Sequence, residues 1–237
     1  MKFFIALDQG TSSSRALLFN EDLEVLDSFQ INYDCIFPKT GWVEQLPNEI
    51  LVTQLDALKG LVNNNYKVLI DSIDIGITNQ RESFVLWNSS TGTPVYNSIN
   101  WQDKRTDDYC REIQGTEFEK TIVEKTGLIV NSYFSATKVK WVIENISDAK
   151  KLLEEGNLMF GTIDTWLLYN LTNGECFYTD SSNASRTMLF NIHSNEWDIE
   201  LLEYFSLSKL NLPTVLNTID TFGSFTIEDF PNIKFNV

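Results

Sequence analysis

The segment Asp8-Gln9-Gly10-Thr11-Ser12-Ser13-Ser14-Arg15 puts a carboxylate, a glycine, four successive hydroxyls and a guanidinium within eight positions. Glycine permits positive φ and close backbone approach. Backbone N–H groups and hydroxyls donate to phosphate oxygens, and a neighbouring carboxylate can hold a hydrated Mg2+. These residue types suit a phosphate cradle. They equally suit a serine-rich turn in which Asp8 closes an Asx-turn. Neither G-x-x-x-x-G-K-[ST] nor G-x-G-x-x-G occurs.

Further polar clusters follow. Asn79-Gln80-Arg81-Glu82 offers guanidinium donors beside an acceptor-only carboxylate, a pair that suits a polyhydroxylated ligand; a surface ion pair between the two is the simpler alternative. Asn100-Trp101-Gln102-Asp103 sets an aromatic face beside amides, and core packing of the Trp explains it as well. Asn131-Ser132-Tyr133-Phe134-Ser135 joins a phenol to a helix start, or is an N-capping turn. In Gly161-Thr162-Ile163-Asp164-Thr165-Trp166, Asp164 supports a site or caps a helix. The dense polar run Thr179 to Thr187 reads as a loop that satisfies its own backbone.

The elements that must position these residues follow from pattern. Apolar runs Phe3–Leu7 and Ala16–Phe19 flank the Gly10 turn, and Glu24–Ile31 alternates more loosely after Asn20-Glu21-Asp22. Three sequential strands with short turns make an antiparallel meander. Pro47 and Asn48 open a helix whose Ile50, Leu51, Leu55, Leu58, Leu61 and Val62 form one stripe, ending near Gly60 and Asn63–Asn65. Ile73–Thr78 and Ser83–Trp87 read as strands. Helices are expected from Asp107 to Lys125, broken at Gly115, then from an N-capping Ser135, over Asp148–Glu155, over Thr162–Asn170, and after a Ser194 or Asn195 cap with Trp197, Leu201, Leu202 and Phe205 on it. Phe222–Phe225 and Ile233–Val237 have strand character, which fits either a natural end or an interrupted domain. The order is that of a layered α/β protein. A hairpin after the first strand excludes the first βαβ unit of a dinucleotide fold.

With 237 residues, 43% of them hydrophobic, the chain can bury a substantial core. Its formal net charge of −15 repels nucleic acid and anionic membrane, so neither is an expected partner. Cys35, Cys110 and Cys176 are far apart with no C-x-x-C, as in reduced thiols. His193 is the only histidine, which leaves little support for a histidine metal site or a Ser-His-Asp triad and favours a structural role for it. Five apolar residues precede Asp8, too few for a signal-peptide core, and no run approaches the ~20 residues that span a membrane. A cytoplasmic address is expected.

In order and wording, several segments together resemble the FGGY carbohydrate kinases, and within them the glycerol-phosphorylating branch. They are Ala6 to Arg15, Gly41-Trp42-Val43-Glu44-Gln45, Gly76 to Glu82, Trp101-Gln102, Tyr133-Phe134-Ser135, Gly161 to Trp166 and Asn183 to Leu189. The resemblance implies an actin-like ATPase, ribonuclease-H-like fold: a mixed sheet beginning with the three-stranded meander, helices on both faces, and ATP bound between two domains. Residues 1–237 would be the N-terminal, glycerol-binding domain, with the C-terminal domain absent. Thr11, Ser12 and Ser13 would contact nucleotide phosphates, assisted by Arg15, with Asp8 beside Mg2+. Arg81 and Glu82 would bind the hydroxyls of glycerol, Trp101 would pack its carbon chain, and Tyr133 would add a polar contact. The implied reaction moves the γ-phosphoryl group of ATP to a terminal hydroxyl of glycerol. Full-length relatives are often homo-oligomers.

Two departures stand out. Ser132 occupies a place where relatives carry proline, which touches local rigidity. The family's general base is an aspartate in a Gly-Asp-Gln segment expected just after this chain's last residue; Asp220 and Asp229 lack those neighbours. The chain alone is therefore expected to hold no catalytic base, to show no turnover, and to bind glycerol weakly or not at all. A non-catalytic polyol-binding or regulatory module derived from a kinase, and half of a pentose or hexose kinase, are the alternatives.

Overall fold

A computed structural model describes residues 2–67, 69 and 72–237. In chain order its elements are β1 (Phe4–Gln9), β2 (Ser13–Phe19), β3 (Val25–Asn32), β4 (Glu44–Gln45), α1 (Pro47–Asn65), β5 (Ser72–Asn79), β6 (Phe84–Asn88) and β7 (Ser98–Ile99). Next come α2 (Asp107–Ile113), α3 (Glu117–Thr126), α4 (Ser135–Asn145), α5 (Ser147–Glu154), β8 (Leu158–Thr162) and α6 (Ile163–Leu171). The last third holds β9 (Tyr178–Asp180), α7 (Ser181–Ala184), β10 (Phe190–Asn191), β11 (Glu196–Trp197), α8 (Ile199–Tyr204), β12 (Thr214–Leu216), β13 (Ser224–Ile227) and β14 (Phe230–Asn236).

The main sheet is mixed, in the order β13-β14-β5-β1-β2-β3. The expected meander is its β1-β2-β3 edge, and β5 runs parallel to β1 with Asp8 opposite Thr78 and Gln9 opposite Asn79. That register brings the Gly10 turn and the Asn79–Glu82 turn to one end of the sheet. A second sheet, β4-β7-β6-β8, stands beside the first. Alternation along β6 and β8 divides two cores. Val85, Trp87 and Met159 join the core under α1 and α6, whereas Phe84, Leu86, Leu158 and Phe160 join the one shared with α4 and α5. The second sheet thus carries helices on both faces.

Local corrections have simple causes. Ser135 does not cap α4: the capping position is Phe134, and the Ser135 hydroxyl donates to the Glu82 carbonyl at 2.8 Å. Trp197 lies in β11, and α8 is capped by Asp198, whose carboxylate accepts from the Leu201 N–H. Gly10 keeps a φ outside the left-handed region, and a Cβ there would make a tight 3.3 Å approach to the Ser13 carbonyl oxygen. The three cysteines are free thiols, and the exposed His193 ring meets the Glu124 carbonyl at 2.8 Å. Among the described residues no helix is long and apolar enough to cross a membrane.

Candidate functional site

The hairpin turn closes with the Gly10 N–H donating to the Ser13 carbonyl at 2.9 Å. Ser14 points inward and its hydroxyl meets that of Thr53 on α1 at 2.8 Å. Ser12 is exposed and Ser13 half-buried, and neither hydroxyl has a hydrogen-bond partner among the described residues. Asp8 and Arg15 face each other across β1 and β2, 3.9 Å apart and both half-exposed, while the Arg15 Nε donates to Gln30 at 3.0 Å. Thr11 is held at both ends: its carbonyl accepts from the Gln45 amide at 2.7 Å, and its hydroxyl accepts from the Trp101 indole N–H at 2.9 Å.

Behind the turn lies a buried network of neutral groups. The Tyr33 hydroxyl donates to the Gly10 carbonyl at 2.5 Å and accepts from the amides of Gln9, Gln45 and Gln80. Gln80 also bonds Gln9 at 3.1 Å and accepts from Asn100 at 2.7 Å. The Trp101 N–H donates to Ser83 at 3.1 Å. The hairpin, the Asn79–Glu82 turn and the Asn100–Asp103 turn are therefore one hydrogen-bonded unit. Burial pushes the Tyr33 phenol far above its usual pKa, against the bonds donated by Gln9, Gln80 and Gln45, so it stays neutral.

A cleft of about 250 Å³ opens on this unit. Asp8, Gly10 and Thr11 line one side; Arg81, Glu82, Trp101 and Tyr133 line the other. The Trp101 and Tyr133 rings lie 5.3 Å apart between centroids. Of the nine residues named from sequence, six meet in this cleft; Ser12, Ser13 and Arg15 lie outside its lining. Arg81 is exposed, and among the described residues it makes no ion pair. The surface ion pair between Arg81 and Glu82 does not form. Glu82 adopts a left-handed φ of 68° that turns its carboxylate inward onto the Arg186 guanidinium, Nε to Oε1 at 2.5 Å. Arg186 also lies 4.9 Å from the Phe134 ring centroid and 5.6 Å from that of Tyr133.

Sequence reasoning missed Arg186. It was visible as the lone cation in a polar run, but the run reads as self-satisfied. The rest of that run is only in part self-satisfied: it forms α7 in place of the expected loop, with Asp180 capping the helix through the Asn183 N–H, while Thr179 donates to Asp164 and Asn183 accepts from Asn79. A second omission is the cage around Arg105. Its fully buried guanidinium donates to both oxygens of Asp103, at 2.9 and 2.8 Å, and to Glu44 at 2.7 Å. It lies 3.9 Å from the Trp42 ring centroid and 4.5 Å from that of Trp141. Burial pulls its pKa down, but the bonds to Asp103 and Glu44 outweigh burial and hold it above its ordinary value. The cage ties Gly41–Gln45 to the turn carrying Trp101.

A larger cleft of about 910 Å³ runs along β5 and meets the first at Asn79 and Arg81. Asp164 lies on its wall, accepting from Thr162 at 2.5 Å and Thr179 at 2.7 Å. Burial pushes its carboxyl up to about 6 against those bonds. Asn79 donates to Asn183 at 3.0 Å while its own buried amide oxygen has no partner. Ser132 donates to Asp107 at the start of α2, which anchors the segment where relatives are expected to carry proline. Among the described residues no three His, Cys, Asp or Glu side chains gather around a common point.

A polar cleft thus opens at the ends of two sheets, between a hydroxyl-rich hairpin and an aromatic wall. Residues 3–235 match the FGGY family of carbohydrate kinases, N-terminal domain, and the chain belongs to that family. It is 49% identical over 222 residues to a glycerol kinase of Dichelobacter nodosus, covering 94% of this chain and 44% of the relative. To a glycerol kinase of Caldanaerobacter subterraneus it is 47% identical over 222 residues, covering 94% of this chain and 45% of the relative. The structure of Plasmodium falciparum glycerol kinase with ADP superimposes with a TM-score of 0.91 at 34% identity, over 100% of this chain and 48% of that one. Gluconate kinase from Lactobacillus acidophilus shares the fold with a TM-score of 0.82 at 22% identity, over 99% of this chain and 47% of that one. The chain thus spans about half the length of the relatives it matches.

Proposed function

We propose that this chain forms the N-terminal, acceptor-binding half of an ATP-dependent glycerol kinase. The observation that carries this is the 2.9 Å bond from the Trp101 indole to the Thr11 hydroxyl, which joins the aromatic wall to the phosphate hairpin. Identities of 49% and 47% to glycerol kinases favour glycerol as acceptor.

Glycerol lies with its carbon chain against Trp101, its hydroxyls donating to Glu82 and accepting from Arg81 and Tyr133. Arg186 holds Glu82 before the ligand arrives, so little order must be gained on binding. Thr11 accepts a hydrogen bond from the indole N–H, which leaves its own O–H to donate to a phosphate oxygen. Ser12 and Ser13 add donors, and Arg15 adds positive charge beside them. Asp8 presents one carboxylate, and magnesium carried by nucleotide phosphates takes one or two carboxylates, so the donor set fits. The ion would neutralise phosphate charge. In the transfer, the acceptor oxygen bonds to the γ-phosphorus, and the bond from that phosphorus to the β,γ-bridging oxygen breaks. That electron pair leaves with ADP, and the hydroxyl proton passes to a base.

No Gly-Asp-Gln segment occurs among these 237 residues. A polypeptide of these residues alone is therefore expected to turn over no ATP and to bind glycerol weakly at best. A coupled assay at millimolar glycerol and MgATP tests the first point; robust turnover would place the base within the residues present. Saturation-transfer NMR with glycerol, xylulose and gluconate tests the acceptor. Glycerol should give the strongest transfer, confined to protons near Trp101 and Tyr133; preference for either sugar ligand refutes the assignment.

A further inference from the structure

Among the described residues, Lys138 is the one lysine that is buried. It lies on the first turn of α4 with no exposed surface, and burying an ammonium is expensive unless its protons are taken up. Its Nζ donates to two backbone carbonyls, Asn100 at 3.1 Å and Tyr133 at 3.2 Å. Burial pulls its pKa down to about 7, against the nearby carboxylates of Asp103 and Glu82. Lys138 does not line the cleft. Its two partners have a shared position: Asn100 is the residue before Trp101, and Tyr133 carries the facing ring. The backbone behind both aromatic walls, with ring centroids 5.3 Å apart, is thus fastened to one nitrogen.

We propose that Lys138 is a positioning residue that sets the spacing of Trp101 and Tyr133, and through it the width of the acceptor subsite. Its role presupposes the glycerol-binding function proposed above. A lysine serving only to fill space could be replaced by methionine, which has similar length and no donors. A lysine that spaces the walls cannot be, because the one nitrogen bridging the two carbonyls is lost; the Asn100 carbonyl keeps only the Asp103 N–H at 3.1 Å within its own turn, and the two turns relax independently.

Lys138→Met, with Lys138→Gln as the variant that keeps side-chain N–H donors, decides between these. The first readout needs no ligand: the indole N–H signals in 15N NMR, with Trp101 assigned through Trp101→Phe. In Lys138→Met the Trp101 indole should shift and broaden as its bond to Thr11 loosens. The indoles of Trp166 and Trp197, bonded to the carbonyls of Pro47 and Pro213, should stay in place. The second readout is glycerol affinity in the same NMR titration, expected to fall about tenfold or more in Lys138→Met and to recover in part in Lys138→Gln. An unmoved Trp101 indole overturns the proposal, as does failure of both variants to fold, which would make the lysine a requirement of the fold. Preference of the unaltered chain for xylulose or gluconate overturns the glycerol assignment, and the indole signals then decide the spacing role alone.

Discussion

Arg105 offers a sharp test of how the site is held. Replacing it with methionine keeps much of the volume between Trp42 and Trp141 but removes the cation between Asp103 and Glu44, which are 0% and 2% exposed as side chains. Neutral donors remain, from the Val43 N–H to Asp103 and from Tyr96 and Asn97 to Glu44. They lower the cost without matching a guanidinium. Breaking a buried ion pair by removing one partner costs about 3–5 kcal/mol. For a domain of this length each kcal/mol moves Tm by about 2–4 °C, so Arg105→Met should melt roughly 6–20 °C lower. Denaturant unfolding of Arg105→Met beside the triple variant Arg105→Met/Asp103→Asn/Glu44→Gln is the assay. Most of the loss should return in the triple variant, which leaves no unpaired buried charge. A single-variant loss below about 1 kcal/mol, the scale of a surface pair, would refute the cage as the anchor of the Trp101 turn. So would a triple variant no more stable than the single one.

Two further outcomes follow from neighbouring residues. Gly161→Ala should destabilise by about 1–3 kcal/mol in the same unfolding assay, because a Cβ there meets Thr165 at 2.7 Å and Trp87 at 3.0 Å in a packed interior; an unchanged midpoint would contradict that packing. Asp164→Asn should change the pH dependence of stability. The folded carboxyl titrates near 6, above its unfolded value of roughly 4, so its contribution is present below the unfolded value and lost as pH rises to the folded one. Relative to the Asn variant, the unaltered chain should lose stability from roughly pH 4 to 6 and then level off; parallel curves would show that Asp164 titrates normally.

The main sheet was legible because its strands announce themselves locally. The apolar runs on either side of Gly10 and the proline at the start of α1 need no distant partner to be read. Trp197 was misplaced because one apolar residue before a helix reads the same in a two-residue strand, and Ser135 because a serine at a helix start can bond any carbonyl that packs there. The candidate site was legible only in pieces. Trp101 and Thr11 lie 90 positions apart in the chain, and Arg186 and Glu82 104 apart; no spacing rule joins such pairs. Resemblance to a family brought most of the pieces together. Arg186, Arg105 and Lys138 escaped because a cation's meaning lies in what surrounds it after folding.

The network around Tyr33 is built from amides and a phenol, with no group that changes charge between roughly pH 5 and 9. Mobile ions find nothing there to screen. A molecule carrying a formal charge of −15 must feel ionic strength over its whole exterior. The bonds that tie the Gly10 turn through Tyr33 and Gln80 to Asn100 join neutral groups only. Added salt screens the long-range repulsion between that exterior and an anionic ligand while the neutral bonds behind the Gly10 turn stay as they are.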